Sequence, residues 1–138
     1  MMPAVTGVLE TALYVEDMDR SVRFYERLFG FEKMVHDERF CGFNVAGRQV
    51  LLLFKKGSTL ETFVTPGGAI PPHDGSGTDH MAFSISAAEL ASWEKWLAEN
   101  AVPVESKVSW PLGGHSLYFR DPDQHLIELA TPGIWPIF

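Results

Sequence analysis

The feature that most constrains this sequence is a pattern of secondary structure that occurs twice, about 70 residues apart. Each copy begins with a β-prone run (8–15 and 79–86), continues with a helical pattern, and ends with three further strand-like runs. Glu10 aligns with His80 in this repeat, although residue identity between the two halves is low. Because an internal repeat constrains the whole chain, we predict an α+β protein made of two βαβββ modules.

The repeat also sets the expected domain boundaries. We predict one domain over residues 1–138, with a first module at about 6–54 and a second at about 79–131. Residues 55–78 are rich in proline and glycine, and we expect a long irregular connection there. The tail, 132–138, is apolar and proline-rich, so we expect it to pack on the body of the protein or on a partner chain.

Both predicted helices carry signals at their ends. Asp17 or Asp19 can accept hydrogen bonds from the free amides at the start of the first helix. Gly30 stands where that helix would end in a left-handed cap. Ser86 and Glu89 have the spacing of a capping box, which predicts the start of the second helix.

Composition and charge exclude several classes of function. The chain is 46% hydrophobic and 21% charged, which rules out a disordered protein. Its net charge of −7 repels phosphates, so nucleic acid is not an expected partner. With no long apolar run and no basic, apolar leader, we expect a cytoplasmic protein without a membrane partner. The single cysteine, Cys41, excludes an internal disulfide and is predicted to be a buried structural thiol.

Three ionisable residues lie within predicted strands. Glu10 and His80 occupy equivalent first strands, and Glu128 stands in the last strand between apolar neighbours. Charged side chains are costly to bury unless they are paired or bound to a metal. If approximate two-fold symmetry relates the modules, Glu10 and His80 approach one cleft. Carboxylate and imidazole ligands suit a divalent first-row metal, and three of them leave positions open for substrate.

Simpler interpretations of these residues remain open. A glutamate in a strand commonly faces solvent. Alternatively, Glu10 and Glu128 could flank a salt-linked His80, and the cluster would then be structural.

Longer motifs occur at residues 12–31, 77–83 and 114–129, and the last contains Arg-Asp-Pro-Asp-Gln-His-Leu-Ile-Glu-Leu. They resemble the vicinal oxygen chelate superfamily, which includes glyoxalase I, bleomycin-resistance proteins, fosfomycin-resistance enzymes and extradiol dioxygenases. The resemblance implies two βαβββ modules whose mixed sheets curl around a cleft. It also implies a homodimer, often with the cleft completed across the interface.

For function, the resemblance implies a divalent metal (Zn, Mn, Ni or Fe) held by Glu10, His80 and Glu128. The metal would stabilise an oxyanion or enediolate of a small oxygenated substrate, in a lyase- or isomerase-like reaction. Glu10, Glu128 or His73, a histidine of the long connection, would move the proton. The alternative is a binding protein without catalysis, of the bleomycin-resistance type.

Some residues depart from the family pattern. The first ligand is commonly His or Gln, and two carboxylates with one histidine differ from the triad of iron dioxygenases, which argues against ring cleavage. The segment 50–54 has no ligand-capable side chain, which argues against glyoxalase I itself. Gln124 replaces a turn glycine and predicts a slightly strained turn or another turn type.

Four further residues are predicted to contact substrate: Arg120, Tyr118, His115 and Trp110. Arg120 could hold a substrate carboxylate through two hydrogen bonds, or it could pair with a neighbouring aspartate.

Overall fold

A computed structural model describes residues 1–138 as two compact units, Met1–Ser76 and Gly77–Phe138. Each unit contains a four-stranded mixed sheet with the same strand order. The first, fourth, third and second strands of the unit lie side by side, and the first and fourth are parallel. The predicted pair of βαβββ modules is therefore confirmed.

The first unit is built from one helix and six strands. They are β1 (Glu10–Val15), α1 (Met18–Phe29), β2 (Glu32–His36), β3 (Phe40–Val45), β4 (Gln49–Lys55), β5 (Phe63–Thr65) and β6 (Gly68–Ile70). Strands β1 to β4 form the main sheet, and β5 pairs with β6 in a separate two-stranded hairpin.

Helix α1 forms and ends as its sequence predicts. The Asp17 carboxylate accepts a hydrogen bond from the Arg20 amide, and Gly30 ends the helix with φ of 67°. The helix contacts β3 and β4. Its buried side chains, which include Tyr25 and Leu28, form a core with the buried residues of the sheet: Leu13, Val15, Cys41, Phe43, Leu51 and Leu53. Because successive side chains of a strand point to opposite faces, the residues between these buried ones lie on the face of the sheet that does not pack against α1.

The second unit repeats the plan. It contains β7 (His80–Ser84), a 3₁₀ turn (Ala87–Glu89), α2 (Leu90–Glu99), β8 (Ser106–Ser109), β9 (His115–Arg120) and β10 (Leu126–Ala130). Its fully buried apolar side chains are Leu97, Leu117, Phe119, Ile127 and Leu129. None of the helices in either unit is long and apolar enough to cross a membrane.

The predicted capping box at Ser86 is wrong. Ser86 makes no side-chain hydrogen bond to the helix, and a 3₁₀ turn precedes α2. The amide of Glu89 instead donates to the backbone carbonyl of Ser86 over 3.1 Å, so it does not need the serine hydroxyl.

The connecting residues 55–78 contain more regular structure than expected. The β5–β6 hairpin lies within them, and its turn is closed by the Thr65 hydroxyl, which donates to the Gly68 carbonyl over 2.7 Å. Strands of three residues are too short to show the alternation by which strands are recognised in a sequence.

The C-terminal tail keeps its apolar side chains exposed in the single chain. Trp135, Ile137 and Phe138 retain 69%, 79% and 63% of their accessible surface. One backbone hydrogen bond, from the Gly114 amide to the Gly133 carbonyl at 2.9 Å, joins the start of the tail to the unit. Packing of the tail on a partner chain stays a prediction.

Candidate functional site

His80 and Glu128 lie together on one face of the second sheet. Strand β7 runs parallel to β10, and His80 Nε2 is 3.2 Å from Glu128 Oε1. The other ring nitrogen, Nδ1, is 2.8 Å from the carbonyl oxygen of Leu126. Because a carbonyl can only accept, Nδ1 must carry a proton there, and a neutral His80 then has its lone pair on Nε2. A lone pair and a carboxylate oxygen at this distance repel each other unless a cation or a proton lies between them.

The second oxygen of Glu128 is held by a directed chain of hydrogen bonds. Ser116 Oγ donates to Glu128 Oε2 over 2.5 Å, and Trp110 Nε1 donates to Ser116 Oγ over 2.9 Å. Ser116 is 1% exposed and Glu128 is 7% exposed. The chain therefore orients a buried carboxylate and leaves Oε1 facing His80.

Tyr118 faces Glu128 across the pairing of β9 with β10. Burial raises the pKa of the Tyr118 phenol, and the negative charge of Glu128 raises it further. Its ring centre is 6.2 Å from that of His80. Tyr118 therefore stays protonated near neutral pH and can donate a hydrogen bond beside the His80–Glu128 pair.

The other two predicted substrate residues of this unit have internal partners. Arg120 donates to both oxygens of Glu105, over 3.3 and 3.0 Å, and to the Gln124 carbonyl over 3.1 Å. By strand alternation, His115 lies on the opposite face of β9 from Tyr118. Its Nδ1 is 3.1 Å from Ser109 Oγ.

Glu10 and His73 line a pocket in the first unit. The pocket encloses about 520 Å³ and includes a third ionisable side chain, Arg39. Its other lining residues are apolar: Ala12, Phe40, Leu52, Phe54 and Ile70. A volume of this size suits a small organic ligand.

Rows of paired residues explain why this sheet face is hollow. Tyr14, Phe54 and Phe40 lie side by side on β1, β4 and β3 and form an aromatic row. The next row on the same face combines Leu52 with two small residues. Small side chains beside a row of large ones leave a depression, and Glu10 stands in the row beyond it.

His73 is fixed against the aromatic row. Its Nδ1 shares a hydrogen bond of 2.5 Å with Tyr14 Oη, and its ring meets the edge of Phe54 with centroids 4.7 Å apart. Its backbone amide donates to the Thr59 carbonyl over 2.9 Å, and the Thr59 hydroxyl donates to the His73 carbonyl over 2.5 Å. This histidine of the long connection is thus held in place through both its backbone and its side chain.

The three predicted metal ligands are therefore divided between the units. His80 and Glu128 are in contact, whereas Glu10 lines the pocket of the first unit. Within the single chain, no three His, Cys, Asp or Glu side chains form a group that could hold a metal ion. The register confirms one departure from the family pattern: Leu52, opposite Ala12, takes the place that Glu128, opposite Ala82, has in the second unit.

Sequence analysis missed a buried ion pair beside this site. His125 Nδ1 is 2.8 Å from Asp121 Oδ2, and both side chains are fully buried. His125 Nε2 has no hydrogen-bond partner and lies 3.9 Å from Asp79 Oδ2. The hydrogen bond to Asp121 raises the pKa of His125 against the opposing effect of burial, and the charges of Asp121, Asp123 and Asp79 raise it further. The spacing Asp-x-x-x-His around a predicted turn was the available signal.

Comparison with known proteins adds to this geometry. A model of the glyoxalase/bleomycin resistance protein/dioxygenase superfamily matches residues 7–129. This chain belongs to that superfamily. The matched residues cover both βαβββ units of this chain and include Glu10, His80 and Glu128.

Individual relatives of this superfamily member include enzymes. It is 30% identical to the metallothiol transferase FosB of Bacillus licheniformis over 132 residues, which are 95% of this chain and 79% of the relative. A lactoylglutathione lyase structure from Agrobacterium tumefaciens matches 98% of this chain and 100% of its own with 31% identity and a TM-score of 0.88. The fosfomycin resistance protein FosX of Listeria monocytogenes shares the fold, with 22% identity, a TM-score of 0.69, and coverage of 93% of this chain and 94% of its own.

Proposed function

We propose that this protein is a metal-dependent enzyme that acts on a small oxygenated substrate, and that His80, Glu128 and Glu10 hold the metal. The observation that carries the proposal is the facing pair of His80 Nε2 and Glu128 Oε1, 3.2 Å apart, each held by a second hydrogen bond. Metal-binding histidines commonly donate their other N–H to a carbonyl, and metal-binding carboxylates are commonly hydrogen-bonded in turn. The residues present therefore fit a divalent cation.

The donor set favours particular metals and reactions. Two carboxylates with one imidazole suit Mn, Fe, Zn or Ni. When bound, such a metal supplies Lewis acidity that stabilises negative charge on a substrate oxygen. The names of the relatives, a metallothiol transferase and a lactoylglutathione lyase, support group transfer or lyase and isomerase chemistry.

The chain's own residues would bind the substrate and move the proton. Tyr118 can donate a hydrogen bond beside the His80–Glu128 pair, and Trp110 and Ser116 keep the Glu128 carboxyl oriented. His73, held by Tyr14 in the pocket that Glu10 also lines, is the imidazole placed to transfer a proton to or from a bound substrate. Arg120 would have to break its hydrogen bonds to Glu105 to reach a substrate, and His115 would have to leave Ser109. We therefore do not count either residue among the main substrate contacts.

Metal content by elemental mass spectrometry tests the proposal. Untagged wild type, Glu128→Gln and the control Glu94→Gln are compared after incubation with Mn(II), Zn(II), Ni(II) or Fe(II). Glu94 lies on α2 and pairs with Lys107 of β8, and it is not one of the proposed metal ligands. We expect about one metal per chain in wild type and control, and a loss in Glu128→Gln. Absence of bound metal in wild type after every incubation would contradict the proposal.

We further propose that the protein is a homodimer in which Glu10 of one copy completes the metal site of the other. Mixing protomers tests this directly. A heterodimer of Glu10→Ala with Glu128→Ala retains one intact set of ligands if Glu10 acts across the interface, and none if each chain binds alone. Heterodimers isolated from the mixture should hold half the wild-type metal content if the site is shared. No recovery in a mixture shown by mass to contain heterodimers assigns the site to a single chain.

The apolar pocket of the first unit favours one alternative, a protein that binds a small molecule without catalysis. The metal measurement separates the two. A protein that takes up no metal but binds small aromatic molecules in the pocket would have this second function.

A further inference from the structure

We propose that the pocket of the first unit binds a small organic anion with an apolar body, and that Arg39 recognises its anionic group. The inference deepens the proposed function by naming the class of substrate, and it rests on that function for the claim that the ligand reacts. The occupant is a small molecule rather than a protein, because the pocket is a concave depression of about 520 Å³, a volume that suits a small ligand.

The first argument is the state of Arg39. Its guanidinium carbon lies 4.1 Å from the ring centre of Phe63 and 5.3 Å from that of Phe40. No carboxylate pairs with it, although the chain carries 18 acidic residues and a net charge of −7. Stacking on ring faces leaves the planar N–H donors of an arginine available in a fixed plane. An anionic group from outside the chain can use those donors.

The second argument is the polarity of the pocket. Arg39 directly precedes the aromatic row formed by Phe40, Phe54 and Tyr14, and His73 is bound to that row. Glu10 lies four residues from Tyr14 along β1, a separation of about 13 Å at about 3.3 Å per residue. The positive end of the pocket, at Arg39, is therefore separated from its negative end, at Glu10, and the two side chains do not form an ion pair.

The third argument is the surface between the two ends. It is formed by Ala12, Leu52 and Phe54, and Ile70 of the hairpin adds to it. An apolar or aromatic body would remove this surface from water, which is favourable in proportion to the area buried. The ligand would then place its anionic group at Arg39 and its other end beside Glu10, the residue proposed to reach the metal.

Ligand titration on chelator-treated protein tests the inference, because it separates ligand recognition from metal binding. The ligands are 3-phenylpropionate, its uncharged amide and 3-phenylpropylamine, followed by calorimetry or ligand-detected NMR. The proteins are wild type, Arg39→Gln and the control Arg48→Gln, whose arginine is exposed in the turn between β3 and β4. Unfolding curves of the three proteins verify that each is folded.

We expect wild type and Arg48→Gln to bind the acid roughly 10- to 100-fold more tightly than the amide, as a charged hydrogen bond predicts. Arg39→Gln should lose this discrimination and bind the amide as wild type does. Equal weakening of acid and amide would show a merely structural role, and tighter binding of the amine would assign the pocket to Glu10. Either result, or a wild type that binds none of the three, overturns the inference.

Metal uptake, measured on the same proteins, shows separately whether the metal proposal fails. Arg39→Gln is expected to take up metal as wild type does, because Arg39 lies outside the proposed ligand set. A wild type that discriminates acid from amide but binds no metal therefore supports this inference and contradicts the enzyme function.

Discussion

Replacing Asp121 by alanine should destabilise the second unit strongly. The Asp121 carboxylate accepts three hydrogen bonds: from the Asp123 amide at 2.9 Å, from the His125 amide at 2.9 Å and from His125 Nδ1 at 2.8 Å. His125 has no other hydrogen-bond partner for its ring, because Nε2 is buried and unpaired. Removing one member of a buried, hydrogen-bonded ion pair costs about 3–5 kcal/mol.

The loss should depend on pH with a defined sign. The pKa of His125 is raised in the folded protein, so its contribution to stability is fully present below the unfolded value near 6.5. That contribution disappears as pH rises through the higher folded pKa. The difference in unfolding free energy between wild type and Asp121→Ala should therefore be largest at acidic pH and smaller at alkaline pH.

Urea unfolding at a fixed protein concentration measures both effects. Asp121→Asn is the matched variant, because its amide oxygen can still accept from the two backbone amides, and it should lose less than the alanine variant. Glu94→Gln, which breaks an exposed pair with Lys107, should cost less than about 1 kcal/mol. A cost below about 1 kcal/mol for Asp121→Ala, or one that grows with rising pH, would refute the reasoning.

Three further predictions concern single residues. Gly30→Ala should lower the free energy of unfolding by about 1–2 kcal/mol, measured by heat or urea, because φ is 67° there while nothing obstructs a new side chain. Gly67→Ala is the control and should cost less, because Gly67 has no positive φ. Gln124→Gly should stabilise the chain by about 0.5–1 kcal/mol, since Gln124 has φ of 68°, and an unchanged or lower stability would show that the turn is not strained. Ser116→Ala should weaken metal affinity about 10- to 100-fold in a chelator competition, because Glu128 loses its donor; equal affinity would exclude an orienting role for Ser116.

Much of the fold could be predicted because it rests on local patterns. Asp17 and Gly30 mark the two ends of α1, and the unbroken apolar run at 50–54 predicts strand β4. The contact between His80 and Glu128 agrees with the family resemblance, which places both residues in one set of metal ligands. These features depend on residue type and spacing, which a single sequence contains.

The parts that could not be predicted depend on which side chains meet across the fold. The partner of Arg120 is Glu105 of the segment before β8, not the adjacent aspartates, because the pairing of β8 with β9 brings it close. The role of Tyr14 in holding His73 requires the long connection to return to β1, a contact over 59 positions. No spacing within the sequence encodes such a meeting.

The burial of Cys41 has a practical consequence for measuring this protein. Burial raises the pKa of its thiol to about 11, so at neutral pH it is protonated as well as inaccessible. Thiolates are the species that react with maleimides and with oxidants. A cysteine introduced at an exposed position of either unit would therefore be the only thiol to react. Spin labels or fluorophores can be attached at chosen sites, and distances can be measured in solution, in a protein that keeps its native β3.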